Sequence, residues 1–275
     1  MKWLHFILSH SIFIAFCAVA LCFQTALLLH FNLAAFFYAF IFFSTVCSYN
    51  FYWLLSGFAF ANRSLPSLYK KQGSNIIVFF IAAIGMLLSL YSIPGLWPLA
   101  GIALLLNLVY AIPLMPFKFF QKTREAGLLK TILLAFTWTF VTVYMPYKQV
   151  STAHPLTLVM LFNNRFLFIL MLCIIFDARD TTVDKIRGLQ SLATLVKPPT
   201  IRYIMIILFM AYIINGIWIR IYYQEPRQIV ALLVTGLVTA IVYFFSLKKQ
   251  GYFFYYFGVD GLMLFSALST YIASI

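Results

Sequence analysis

Apolar residues run through this chain in long stretches, broken at intervals by short clusters of charge, proline and glycine. A helix that crosses a bilayer needs ~20 consecutive, mostly apolar residues. The breaks leave nine such stretches, near residues 9–29, 33–58, 75–92, 96–115, 128–146, 155–176, 201–221, 228–247 and 252–274. The pattern predicts an all-α membrane protein of about nine transmembrane helices, forming a single polytopic domain over residues 1–275. Pro94, Pro98, Pro113 and Pro116 place helix ends or kinks around the third to fifth stretches. The first stretch has the outline of a signal peptide, with Lys2 ahead of it and small residues from Ala18 to Ala20. Its apolar run continues to Leu29, past the ~7–15 residues of a signal core, so a retained first span is expected.

Composition agrees with that reading. Hydrophobic residues make up 64% of the 275 positions and charged residues 9%, against ~25% charged in soluble domains. The net charge of +13 is explained by topology and does not indicate nucleic-acid binding. With nine spans, Lys148, Arg165, Arg220 and Arg227 fall on one side and every other Lys and Arg on the opposite side. The positive-inside rule then puts the amino terminus and the loops near 58–74, 116–130 and 177–200 in the cytoplasm. The carboxyl terminus falls outside, as expected for a bacterial-type inner membrane protein. Cys17, Cys22, Cys47 and Cys173 lie inside apolar stretches without metal-ligand spacing, and the four histidines form no HxxxH or HExxH pattern.

Acidic residues are scarce, six in all. Three of them, Asp177, Asp180 and Asp184, lie within eight residues at the mouth of the sixth stretch. On a helix, positions i, i+3 and i+7 share a face within roughly 60°. The repulsion that results is relieved when a hard cation, or cationic side chains, sits among the oxygens. A solvated acidic turn neutralised by Arg179, Lys185 and Arg187 is the plainer alternative. A carboxylate cluster flanked by cations and opening onto a bilayer suits a ligand with an anionic head and an apolar tail, such as a prenyl diphosphate. Mg2+ bridges carboxylate and phosphate oxygens, and Lys118, Arg124, Arg179 and Lys185 are placed to offset the remaining charge and stabilise a leaving group.

The run from Phe176 to Gly188, with its D-x-x-x-D core at Asp180 and Asp184 and an extra acid at Asp177, resembles the second aspartate-rich motif of the UbiA superfamily of intramembrane prenyltransferases. The stretch from Tyr110 to Lys118 resembles that family's Tyr-and-Lys segment after the fourth span. Lys130, Trp138 and Pro146 fit its fifth span, and Val259-Asp260-Gly261 its last helix. The family's first motif, N-D-x-x-D-x-x-x-D, falls at Asn50 to Phe58, where Asn50 is present and the aspartates are not.

The resemblance implies a UbiA-like helical bundle with its loops over a central cavity. It also implies transfer of a prenyl group from a prenyl diphosphate to a hydrophobic, aromatic acceptor with Mg2+ assistance. Asp180 and Asp184 are the implied catalytic residues, and Asp177, Asp180 and Asp184 the implied metal ligands. Lys118, Arg124, Arg179, Lys185, Tyr110 and Asn50 are the implied diphosphate-binding residues, with Arg63 or Lys118 standing in for a missing second cation. Tyr49, Tyr52, Trp53 and Tyr110 are candidates for lining the cavity. The missing first motif keeps open a non-catalytic isoprenoid-lipid-binding relative. A secondary transporter has only Asp260 in its favour. Asp260, Asn107 and Asn215 are expected to make polar contacts between helices.

Overall fold

The computed structural model describes residues 2–61, 65–112, 127–150, 155–187, 190–223 and 226–275. The described chain is helical, with no strand. Its helices are α1 (Lys2–Ser9), α2 (Ile12–Leu28), α3 (Ala35–Ala61), α4 (Leu65–Tyr91), α5 (Trp97–Ala111), α6 (Gly127–Thr139), α7 (Met145–Val150), α8 (Pro155–Arg187), α9 (Leu192–Leu195), α10 (Pro198–Tyr223), α11 (Pro226–Ser246) and α12 (Asp260–Ser274). Among the described residues eight helices are long and apolar enough to cross a membrane, and the bent pair α1–α2 makes a ninth.

The first span differs from expectation at its start. The chain is already helical from Lys2, and α1 meets α2 at a 67° bend. Ser11 carries the break, with a left-handed φ of 63°, which a residue with a Cβ adopts only locally. Asn50 Nδ2 donates to the His10 carbonyl at 3.1 Å and so covers the backbone at this break from α3.

The fifth span is one continuous rod in three parts, α6, a π-helical stretch at Phe140–Tyr144, and α7. Pro146 has no N–H to offer the carbonyl one turn earlier. That carbonyl, on Thr142, accepts instead from Thr25 Oγ1 at 2.7 Å, so a hydroxyl from α2 repairs the ladder. A second π-helical stretch, Phe254–Val259, leads into α12.

α8 is the axis of the bundle. Phe168, Met171, Leu172, Ile174 and Ile175 pack in one core with Leu21 of α2, Met205 and Tyr212 of α10, and Leu262 of α12. α4 lies at the periphery and exposes Ile77, Phe80, Ile81, Ile84, Leu87 and Leu88, as a lipid-facing helix does. α8 also runs eleven residues beyond the predicted end at 176, so the three aspartates lie on the same rigid helix as the core.

The intramembrane amides divide. Asn215 Nδ2 reaches the Met160 carbonyl of α8 at 3.4 Å, an interhelical contact as expected. Asn107 does not behave so. Its Nδ2 donates to the Ala103 carbonyl of its own helix at 2.9 Å, because four residues back on the same face is the nearest available acceptor.

Candidate functional site

Asp177 and Asp184 stand two turns apart on α8, on one face. Asp177 is half-buried, and its Oδ2 accepts from Thr131 Oγ1 at 2.5 Å. Thr131 is itself buried, one turn into α6. Asp184 is only 7% exposed despite its charge. Lys130 adjoins Thr131 at the same end of α6. Its ammonium lies 5.7 Å from the centre of the Tyr110 ring, which stacks on Tyr52 at 5.4 Å.

A glycine brings these parts together. A Cβ on Gly127 would lie 2.5–2.8 Å from the backbone of Gln190 and Ser191. Only glycine lets the start of α6 approach the segment after α8 so closely. That approach places Thr131, one turn on, against Asp177. Ser191 then leads into α9, its backbone N–H donating to Thr194 Oγ1 at 2.8 Å.

Asp180 is engaged differently. Arg179 Nε and Nη2 donate to its two oxygens, both at 2.7 Å. Adjacent helical residues do not face each other, so the guanidinium must fold back to make this pair. It is held there by three aromatic rings. The guanidinium carbon lies 4.8 Å from the Phe176 ring centre, 5.1 Å from that of Tyr255 and 4.8 Å from that of Tyr256. Cation–π contacts of this kind gain strength when partly desolvated, and the Arg179 side chain is 21% exposed.

Deeper in the bundle the walls turn apolar and aromatic. Tyr49 packs edge-on to Trp138 at 6.3 Å. Asp260 is buried at the start of α12, where its backbone carbonyl accepts from the Cys17 thiol at 3.4 Å. Arg179 of α8 packs on Tyr255 and Tyr256, in the π-helical stretch that leads into this helix. The last helix is thus coupled to the acidic end of α8.

The other residues singled out from sequence are distributed as follows. Lys185 is exposed and Trp53 is 38% exposed. Asn50 is fully buried with its amide committed to the backbone of His10 and Val46, while its Oδ1 has no partner among the described residues. Lys118, Arg124 and Arg63 lie outside the described residues. Sequence reasoning passed over Thr131, Tyr255 and Tyr256, and gave Lys130 no role. The signal for Lys130 was its place in the stretch that resembles the fifth span of the family.

Among the described residues no three His, Cys, Asp or Glu side chains converge as a metal-ligand set. Both Asp180 oxygens are taken by Arg179, and Asp177 has one oxygen on Thr131. This donor set does not fit a metal held by protein oxygens alone. It does fit Mg2+ in its usual substrate-dependent form, in which one or two carboxylates are completed by water and phosphate oxygens. Asp177 and Asp184, on one face of α8, are the residues that would hold it.

No family model matches the chain, and no curated protein sequence matches it. Solved structures do. The chain is similar to the apo structure of a UbiA homolog from Aeropyrum pernix K1, with a TM-score of 0.58 and 13% identity, over 97% of both chains. It is also similar to a digeranylgeranylglyceryl phosphate synthase structure, with a TM-score of 0.57 and 15% identity, over 100% of this chain and 99% of that one. The fold is therefore the all-α, multi-pass fold of UbiA-type proteins, from end to end.

Proposed function

We propose that this chain is an intramembrane prenyltransferase that moves a prenyl group from a prenyl diphosphate to a hydrophobic acceptor, an aromatic nucleophile above all. The observation that carries the reading is the acidic end of α8, with Asp177 tied to α6 by Thr131 and Arg179 boxed by Phe176, Tyr255 and Tyr256, at the head of a bundle rich in aromatic residues. The similarity in fold to a UbiA homolog supports it.

On this reading Lys130 and Arg179 bind the diphosphate head and the apolar interior takes the chain. Asp177 and Asp184 are the residues that would hold Mg2+, which when bound supplies positive charge to the phosphate oxygens. The C–O bond to the diphosphate breaks with its electron pair leaving on the diphosphate oxygen, where the two basic side chains stabilise it. The allylic cation left behind meets the faces of Tyr49, Tyr52 and Tyr110, in a space that excludes water and so prevents its capture as an alcohol. The acceptor attacks this cation and then loses a proton. Lys118 and Arg124 are assigned to the diphosphate in this proposal, and the orientation with the acidic end facing the cytoplasm follows from the charge distribution.

A second reading, an isoprenoid-binding relative without catalysis, is favoured by one feature. The segment from Asn50 to Phe58, where a first carboxylate motif belongs, holds no acid, and the side chain of Asn50 serves the backbone. The deciding experiment is diphosphate release from allylic prenyl diphosphates of several lengths, with and without Mg2+ and with a panel of aromatic acceptors. Mg2+-dependent release that is lost in Asp184→Asn supports the enzyme. Folded protein that retains prenyl lipid and releases no diphosphate supports the second reading.

A further inference from the structure

α1 leaves the first span sideways. α2 is 17 residues long, ~25 Å at 1.5 Å per residue, which is close to the ~30 Å of a hydrocarbon core. Its start at Ile12 therefore marks one boundary of the bilayer. α1 has 8 residues and is bent 67° away from α2, so over its ~12 Å it climbs only about 5 Å along the axis of α2. The headgroup layer on each side of the core is ~5–7 Å deep. A helix so inclined stays within that layer.

Its side chains suit such a place. Trp3 is 84% exposed and Phe6, one turn on and on the same face, is 41% exposed, whereas Leu8 is buried. Tryptophan belongs at the membrane–water boundary, where its ring is apolar and its N–H stays wet. Contacts between rings tie α1 to the acidic end of the bundle. The His5 ring lies 5.7 Å from that of Tyr252, Tyr252 stacks on Tyr256 at 4.3 Å, and Tyr256 is one of the rings that hold Arg179. α1 thus lies beside the segment that joins α11 to the π-helical stretch before α12.

That segment carries Lys248 and Lys249, both exposed. No acid occurs in residues 2–124 or 226–259, so neither α1 nor the two lysines have a carboxylate along their own stretch of chain. On the orientation drawn from the charge distribution, this end faces the cytoplasm. The anionic lipids of that leaflet attract lysines held just outside a span.

We propose that α1 is an interfacial helix seated in the cytoplasmic leaflet, with Trp3 and Phe6 at the boundary between headgroups and acyl chains, and that Lys248 and Lys249 beside it bind the phosphates of anionic phospholipids. This contact lies on the membrane surface and does not depend on the prenyl-transfer reading.

The test uses the full-length protein in bilayers of phosphatidylcholine with a fixed fraction of phosphatidylglycerol. The emission of Trp3 is the difference between wild type and Trp3→Phe, an exposed substitution that leaves the other tryptophans in place. Lipids brominated near the headgroup should quench this emission several-fold more strongly than lipids brominated near the terminal methyl, and aqueous iodide should quench it little. Brominated phosphatidylglycerol should quench it more than brominated phosphatidylcholine at the same mole fraction, and Lys248→Gln/Lys249→Gln should lose that excess. Emission open to iodide and untouched by brominated lipid places α1 in water, and strongest quenching by the deepest bromines places it in the core. Either result would overturn the proposal, as would equal quenching by the two headgroups or an excess that survives Lys248→Gln/Lys249→Gln.

Discussion

Thr131 Oγ1 donates to Asp177 Oδ2 at 2.5 Å, joining α6 to α8 across 46 residues of sequence. The hydroxyl is also 3.3 Å from the Gly127 carbonyl of its own helix. It has one proton, and the carboxylate is both closer and charged. Asp177 is therefore oriented from outside its own helix. Thr131→Val keeps the shape and removes the donor, and should weaken Mg2+ dependence by about 10–100-fold, the usual cost of losing such an outer partner. Thr131→Ser should restore it. Titrating Mg2+ against diphosphate release measures both.

The three aspartates should not be equivalent. Asp184→Asn and Asp177→Asn remove the carboxylates assigned to Mg2+ and should abolish Mg2+-dependent release. Asp180→Asn instead frees Arg179, and should raise KM for the prenyl diphosphate while leaving the Mg2+ requirement in place. Steady-state kinetics of the three variants at several Mg2+ concentrations separates the two roles.

Arg179→Lys should fail as a conservative change. A lysine supplies the charge but neither the two-pronged contact to Asp180 nor the flat surface that lies against Phe176, Tyr255 and Tyr256. A roughly tenfold loss in kcat/KM, ~1.4 kcal/mol, is expected. The aromatic partners make a control, since Tyr256→Phe should lose far less than Arg179→Lys.

Gly127→Ala should act through the backbone. The added methyl meets main-chain atoms of Gln190 and Ser191, which cannot swing aside as a side chain can. Overpacking of this kind costs ~1–3 kcal/mol. The midpoint of thermal unfolding should fall, and diphosphate release should fall with it, because the same approach sets Thr131 against Asp177.

Thr25→Val should leave the Thr142 carbonyl without a donor, since Pro146 has no N–H. A buried acceptor left unsatisfied costs ~1–3 kcal/mol. Thr25→Ser should be close to wild type, and the double variant with Pro146→Ala, which returns an N–H to the ladder, should recover part of the loss. Thermal unfolding in detergent measures the series.

The sequence by itself determined the membrane class, the approximate limits of the nine apolar stretches and the acidic cluster at the end of the sixth. Hydropathy is a property each residue carries, and spanning length is a sum along the chain, so both can be read without knowing any neighbour. The i, i+3, i+7 spacing likewise holds as soon as the segment is a helix, and α8 is one through Arg187.

Tertiary structure decided which charge meets which. Thr131 reaches Asp177 because Gly127 lets α6 approach, and Arg179, next to Asp180, is held on it by rings from the far end of the chain. The bend at Ser11 and the turn of Asn107 onto its own helix belong to the same class. Each depends on the distance and rotation between helices that are remote in sequence. Those are fixed by side-chain packing across the bundle, and no count along the chain contains them.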